Sequence, residues 1–171
     1  MAPDELGRIG EVDRSEHITR EYVQRGAALE SRAVDIHAPR WTPTGEGDQS
    51  VPGLVAAWRP LLARGGTLIG AFAGDALVGF AIHRPDLAEA TSNLAALYVS
   101  RDFRRRGVAS RLLEEVVRLA RAHGAARLYV SATPNGSAVG FYQRHGFEPT
   151  DDPHPAMLAL EPDDIHMVRA L

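Results

Sequence analysis

The 171-residue chain has no cysteine, which excludes disulfides, thiolate metal sites and any acyl-enzyme carried on sulfur. It has no lysine either. All 19 basic residues are arginine, so no side-chain amine is present to form a Schiff base or to take up an acyl group. The same bias, with its many alanines, glycines and prolines, is what a GC-rich genome produces. Apolar runs stay far short of the roughly 20 residues that a membrane span needs. Met1-Ala2-Pro3-Asp4-Glu5-Leu6 has neither the basic nor the apolar region of a secretory signal, and a soluble cytoplasmic protein is expected. A net charge of −3 gives no global attraction to nucleic acid or an anionic membrane, and neither is expected as a partner.

What is present has globular proportions, with 44% hydrophobic and 24% charged residues, in the length of one ordinary domain. Residues 1–171 are therefore read as a single domain. Arg8–Asp13 reads as a first strand. Ser15 and Glu16 open a helix through about Leu29, with Ile18, Tyr22, Val23 and Ala27 as its inward stripe. Val34–His37 reads as a short strand or irregular, Ala38–Gln49 as a loop holding Trp41, and Val51–Ala63 as a second helix ended by Arg64-Gly65-Gly66. Thr67–Ala73 and Ala76–Ile82 flank Gly74-Asp75 as a hairpin, and the polar stretch Pro85–Ser92 turns into a strand ending at Val99. The next helix sets Val108, Leu112, Leu113, Val116, Val117 and Ala120 on one side, pairs Glu114 with Arg118 on the other, and stops at Gly124. A strand at Leu128–Ala132, a helix at Ser137–His145 and strands at Glu148–Thr150 and Ile165–Leu171 complete a mixed α/β order.

The most informative stretch joins the strand Leu97-Tyr98-Val99 to the helix opening at Val108-Ala109-Ser110, through an arginine-rich turn ending in Arg104-Arg105-Arg106-Gly107. Such a turn leaves backbone N–H groups unpaired at the positive end of a helix, which suits a pyrophosphate held without metal. Gly107 and Ala109 are small enough for close approach, and arginine forks match phosphate oxygens. Three adjacent arginines also fit a plain solvated turn; the flanking strand and helix are what favour phosphate. The stretch resembles the acetyl-CoA-binding motif of the GCN5-related N-acetyltransferases (GNAT), Gln/Arg-x-x-Gly-x-Gly/Ala, here Arg104 to Ala109. A second match follows at the family's spacing, in Arg127–Ala132, Asn135 and Phe141–Phe147, so the resemblance runs from about Thr67 to Phe147.

The resemblance implies the GNAT acyl-CoA N-acyltransferase fold: a central, mostly antiparallel sheet whose fourth and fifth strands run parallel and then splay, with flanking helices. It implies acetyl-CoA as co-substrate, no metal, and acetyl transfer to a primary amine of a small molecule or peptide by direct attack in a ternary complex; a homodimer is compatible with the sequence, which does not fix the oligomeric state. Carried onto this sequence, the backbone of Leu97, Tyr98 and Val99 would take the pantetheine arm and thioester. Arg104, Arg105, Arg106, Gly107, Val108, Ala109 and Ser110 would take the pyrophosphate, with main-chain donors from Arg105, Gly107, Ala109 and Ser110 and the side chain of Arg104 or Arg105 in support. Asn135, Phe141 and Tyr142 would also contact the cofactor. Tyr142, protonated at neutral pH by an ordinary pKa near 10, would be the general acid. Asn135 equally suits an ordinary turn and Ser137 a helix cap, and Tyr142 an aromatic core anchor.

The pattern departs from many relatives at Asn93, where they carry a glutamate base; an amide cannot accept that proton. His83 and His166 are substitute bases by position, each also readable as an ordinary hydrogen-bonded histidine, and His145 suits a helix C-terminus. Asp151, Asp152, Asp163 and Asp164 near the expected mouth favour a cationic acceptor, whereas Arg14 favours an acidic one. Asn93 also sustains an alternative, a catalytically weak acyl-CoA-binding sensor. A nucleic-acid site along Arg101–Arg111 is disfavoured by the negative net charge.

Overall fold

In the computed structural model, which describes residues 1–171, the chain opens with a 3-10 helix, Pro3–Glu11, followed by a hairpin of β1 (Glu16–Arg25) and β2 (Ala28–Ala38). These replace the expected strand Arg8–Asp13 and the expected helix from Ser15 to Leu29. Leu6, Ile9 and Val12 recur every third residue and all three are buried, which is the period of a 3-10 turn rather than of a strand. Ile18 and Tyr22 lie four apart, and four residues return to the same face of a strand as they do of a helix. The β-branched and aromatic content of Ile18, Thr19, Tyr22 and Val23 decides for strand. Val23 is 38% exposed, and Gly26, at φ +60°, begins the two-residue turn.

Helix α1 (Val51–Ala63) forms as expected, with the Ser50 hydroxyl accepting the Gly53 N–H at 3.1 Å as its cap. The remaining strands are β3 (Thr67–Ala73), β4 (Ala76–Ala88), β5 (Thr91–Val99), β6 (Arg127–Ala132), β7 (Glu148–Pro149) and β8 (Ile165–Ala170). They form one sheet in the order β3-β4-β5-β6-β8-β7. The expected turn over Pro85–Ser92 is shorter than the sequence implies. β4 continues through an irregular pairing between Arg84 and Ala88, and only Glu89-Ala90 reverse the chain.

Helices α2 (Val108–Ala122) and α3 (Gly136–Arg144) lie on one face, where Leu112, Leu113, Val116 and Val117 pack with Val130, Ala132 and Met167. Leu6, Ile9, Trp41, Leu54 and Leu62 cover Leu68, Phe80 and Ile82 on the other face. A short helix the sequence did not announce, α4 (Pro155–Leu160), precedes β8. On α2 the arginine Arg118 pairs with Glu115 at 2.5 Å rather than with Glu114.

Every strand pair in the sheet is antiparallel except β5 with β6, which run parallel only where Thr91, Ser92 and Asn93 face Arg127, Leu128 and Tyr129. Past that point β5 stays paired with β4 and β6 with β8, so a gap opens between them. This is the splayed pair that the resemblance implies.

Candidate active site

The gap begins at Asn93, which is 1% exposed and donates from Nδ2 to Tyr129 O at 3.2 Å. The side chain is committed to a backbone carbonyl at the fork. Beyond the fork the alternation of an antiparallel ladder sets which groups face the gap. Ser100 N–H donates to Val78 O at 2.8 Å, so Tyr98 and Ala96, in phase with it, turn their main chain toward β4. Leu97 and Val99 turn theirs toward the side that β6 has left. The main chain of Tyr98 is therefore spent in the sheet, while its side chain reaches the cleft wall, with ring centroids 4.8 Å from Trp41 and 5.6 Å from Phe80.

The open end of the gap leads into the arginine turn. Arg105, at φ +59°, and Gly107, at φ +81°, are both left-handed, and this winding turns the chain into α2 without a side-chain cap. Arg111 N–H is the first to close a helical bond, to Gly107 O at 3.1 Å. The amides of Arg105, Arg106, Gly107, Val108, Ala109 and Ser110 find no acceptor within the protein, leaving a nest of donors at the positive helix end. Gly79 of β4 lies beneath: a Cβ there would sit 3.0 Å from Tyr98 O and 3.3 Å from the side chains of Leu112 and Val108. The absent side chain lets the first turn of α2 lie flat on the sheet.

The arginines divide their work. Arg104 is turned inward, donating from Nε to Val99 O at 3.1 Å and from Nη2 to Arg14 O at 2.9 Å, with Glu16 3.6 Å away. Its side chain clamps the turn to the end of β5 and is not turned to the outward role expected of it. Arg106 lies over the Phe103 ring at 5.4 Å. The Ser110 hydroxyl meets His145 Nε2 at 3.0 Å, while His145 Nδ1 bonds Phe141 O at 2.8 Å. The end of α3 is thereby tied to the start of α2.

Helix α3 brings Tyr142 to the cleft, 6% exposed and edge-on to Phe147 at 5.3 Å. Burial first, then the neighbouring Tyr98 and Asp164, push its hydroxyl pKa up, so it stays protonated. Tyr98 is likewise pushed up to about 12, mainly by burial. Asn135 caps α3, its Oδ1 accepting from Ala138 N–H at 2.8 Å and from the Ser137 hydroxyl at 2.9 Å. The structure thus gives Asn135 the cap that the sequence had offered to Ser137.

Neither candidate histidine stands free in the cleft. His83 is fully buried in β4 with both ring nitrogens unpartnered, 5.5 Å from the His123 ring, and burial pushes it down to about 4. His166 is held at Nδ1 by Tyr129 Oη at 2.7 Å, and its pKa is lowered by burial. The sequence singled out Asp164 only as one of four surface acids. It is partly buried, in the turn where its N–H meets Glu161 O at 3.2 Å. Burial, then Glu161 and Asp163, push Asp164 up to about 7. Glu161 is also raised by burial, opposed by the Ser131 hydroxyl. After burial, the charge of Asp164 adds to the raised pKa of both tyrosines, so the Asp164 turn lies on the side of the molecule where these two phenols are buried. Nothing local in the sequence marks these groups, because they come from β5, α3 and the turn after α4.

The sequence profile described as "Acetyltransferase (GNAT) family" matches residues 32–147. No curated protein matches the chain. Among solved structures, nourseothricin acetyltransferase superposes with a TM-score of 0.70 at 18% identity over 99% of this chain and 95% of that one. A putative streptothricin acetyltransferase from Bacillus anthracis str. Ames, in complex with acetyl coenzyme A, gives 0.69 at 15% identity over 100% and 95%. The PaiA N-acetyltransferase of Thermoplasma acidophilum, in complex with coenzyme A, gives 0.56 at 19% identity over 72% of each chain. At such identities these likenesses speak for the fold.

Proposed function

The chain belongs to the GNAT acetyltransferase family, and from that premise we propose that it carries acetyl from acetyl-CoA to the primary amine of a small cationic molecule or peptide. Attack is direct, with both substrates bound, within a single domain of residues 1–171. The observation that carries this reading is the run of unpaired amides from Arg105 to Ser110 at the open end of the β5–β6 gap. Acetyl-CoA, as co-substrate, supplies the acetyl group as an activated thioester. The amides of Arg105, Gly107, Ala109 and Ser110 receive its diphosphate, with charge added by Arg105 and Arg106. Leu97 and Val99 offer main-chain groups to the pantetheine arm by strand addition, and Phe141 lines the arm.

Tyr142, held protonated by burial, donates to the departing thiolate. Asp164, poised at about 7, takes the proton that the attacking amine must lose, so Asn93 is not needed as a base. Glu161 beside it draws an ammonium into the cleft. No helix is long and apolar enough to cross a membrane, which suits an acceptor met in water.

Thiol release from acetyl-CoA, screened against polyamines, aminoglycosides, nourseothricin, amino acids and peptide N-termini, tests the reading. Turnover with cationic acceptors is expected. Cofactor binding without thiol release for any amine would favour the acyl-CoA sensor, and absence of cofactor binding would refute both.

A further inference from the structure

Away from the cleft, the β1–β2 hairpin carries another group of side chains with chemistry. His17 and His37 are directly opposed in the antiparallel register, and Asp35 precedes His37 by two residues, so all three share one face. The two imidazoles stack with centroids 4.3 Å apart and planes 13° from parallel. His17 Nε2 lies 2.6 Å from Asp35 Oδ1. One ligand atom from each residue falls within 4.8 Å of the other two, and all three side chains are exposed.

We propose that His17, Asp35 and His37 form a site for a divalent transition-metal ion of the zinc type, which clips the two strands of the hairpin together. Two neutral imidazoles and one carboxylate are a ligand set for zinc, leaving a position for water. Around a tetrahedral zinc, with bonds of about 2.0–2.1 Å, ligand atoms sit roughly 3.3 Å apart. The His17–Asp35 contact opens slightly to admit the ion and His37 swings inward. Both are side-chain rotations that exposed residues make freely. The ion takes the place of the hydrogen between His17 Nε2 and Asp35 Oδ1, and the neutral ring carries its one proton on Nδ1 instead. The backbone need not move, since the flanking pairs Glu16 with Ala38 and Ile18 with Ile36 already hold the register.

The hairpin has reason to use such a clip. It is a two-stranded sheet of its own, a form with marginal stability in isolation. Its backbone ties to the rest of the chain include Tyr22 N–H to Pro134 O at 2.8 Å and a bridge from Glu21 to Asn135. His17 also lines a cavity of about 270 Å³ with Gly136 and Ser137, at the start of the helix that carries Tyr142.

Isothermal titration of chelator-stripped protein with zinc chloride near pH 7.5, joined to amide hydrogen exchange, tests the site. One equivalent of zinc is expected to bind the wild-type chain, to be lost in the His17→Ala/His37→Ala double variant and weakened in Asp35→Asn, while His123→Ala binds as wild type. Zinc should slow exchange across residues 16–38 in the wild-type chain only. Circular dichroism of the double variant checks that it is folded. No saturable one-to-one binding, or full binding by the folded double variant, would overturn the site; binding without slowed exchange would overturn the clip.

Discussion

At the α2 end of the cleft the groups offered to a ligand are backbone amides, Arg105 to Ser110, set by two left-handed residues and held by the inward clamp of Arg104. The groups proposed for turnover are instead side chains, the phenols of Tyr98 and Tyr142 and the carboxylates of Glu161 and Asp164, each with its pKa raised by burial. The first end depends on winding and on the absence of bulk, so most side-chain changes there leave its donors in place. The second depends on individual ionisable atoms, and one substitution removes a function outright. Binding of the cofactor and turnover should therefore come apart under mutation.

The largest effect expected is at the backbone end. Gly107 sits at φ +81° with open space around the position of a Cβ. Gly107→Glu places a strained residue and a negative charge among the phosphate donors, and calorimetry with coenzyme A should show affinity abolished. Gly107→Ala, which adds strain of about 1–2 kcal/mol but no charge, should retain part of it. Equal loss in both would mean that the winding rather than the charge is what matters. At the other end, Tyr142→Phe should keep acetyl-CoA affinity and lower kcat on the order of 10²-fold or more. Should kcat stay intact, Tyr142 is only the aromatic anchor that its contact with Phe147 also allows.

The two ends also differ in how far the sequence betrays them. The amide nest is local. Strand, turn and helix follow one another within Leu97–Ser110, and each contributes a pattern of its own, so the phosphate turn could be expected from the residues, while the splayed pair was expected only from the family resemblance. The turnover groups come from β5, α3 and the turn after α4, and burial rather than residue type gives Asp164 its character. The same limit applies to the hairpin. Ile18 and Tyr22 fit helix and strand alike, and only pairing with β2, set by residues about twenty positions on, resolves the ambiguity. Arg104 was legible as a motif position, but its inward direction depends on Val99 O and Arg14 O, which only the fold brings within reach.

Asp164 sharpens the contrast through pH. With its pKa pushed up to about 7, wild-type kcat should rise as pH passes through 7 and the base ionises. Asp164→Asn should flatten that limb and lower kcat on the order of tenfold, less than the loss at Tyr142, because water beside Glu161 can still relay the proton. Stability moves the opposite way. A carboxyl with a folded pKa above its unfolded value of about 3.8 contributes stability that is fully present below that value and lost as pH rises through 7. The variant should therefore be more stable than the wild type in denaturant melts at pH 8. An unchanged pH profile would remove Asp164 from proton transfer, whatever the melts show.

His83 supplies the smallest effect and the control for burial itself. It lies in the closed β4–β5 ladder opposite Leu94, with both ring nitrogens unpartnered. Burial, then His123, depress it from 6.5 to about 4. Between those values the unfolded chain binds the proton and the folded one does not, so stability rises with pH over that window, by up to about 3 kcal/mol. His83→Leu should remove this slope and leave thiol release within a factor of two at pH 8. A buried titratable group in the cleft then governs rate, while one in the sheet governs only stability. If His83→Leu abolished turnover in a folded protein, the boundary of the active site would have to be redrawn to include the seam between β4 and α2.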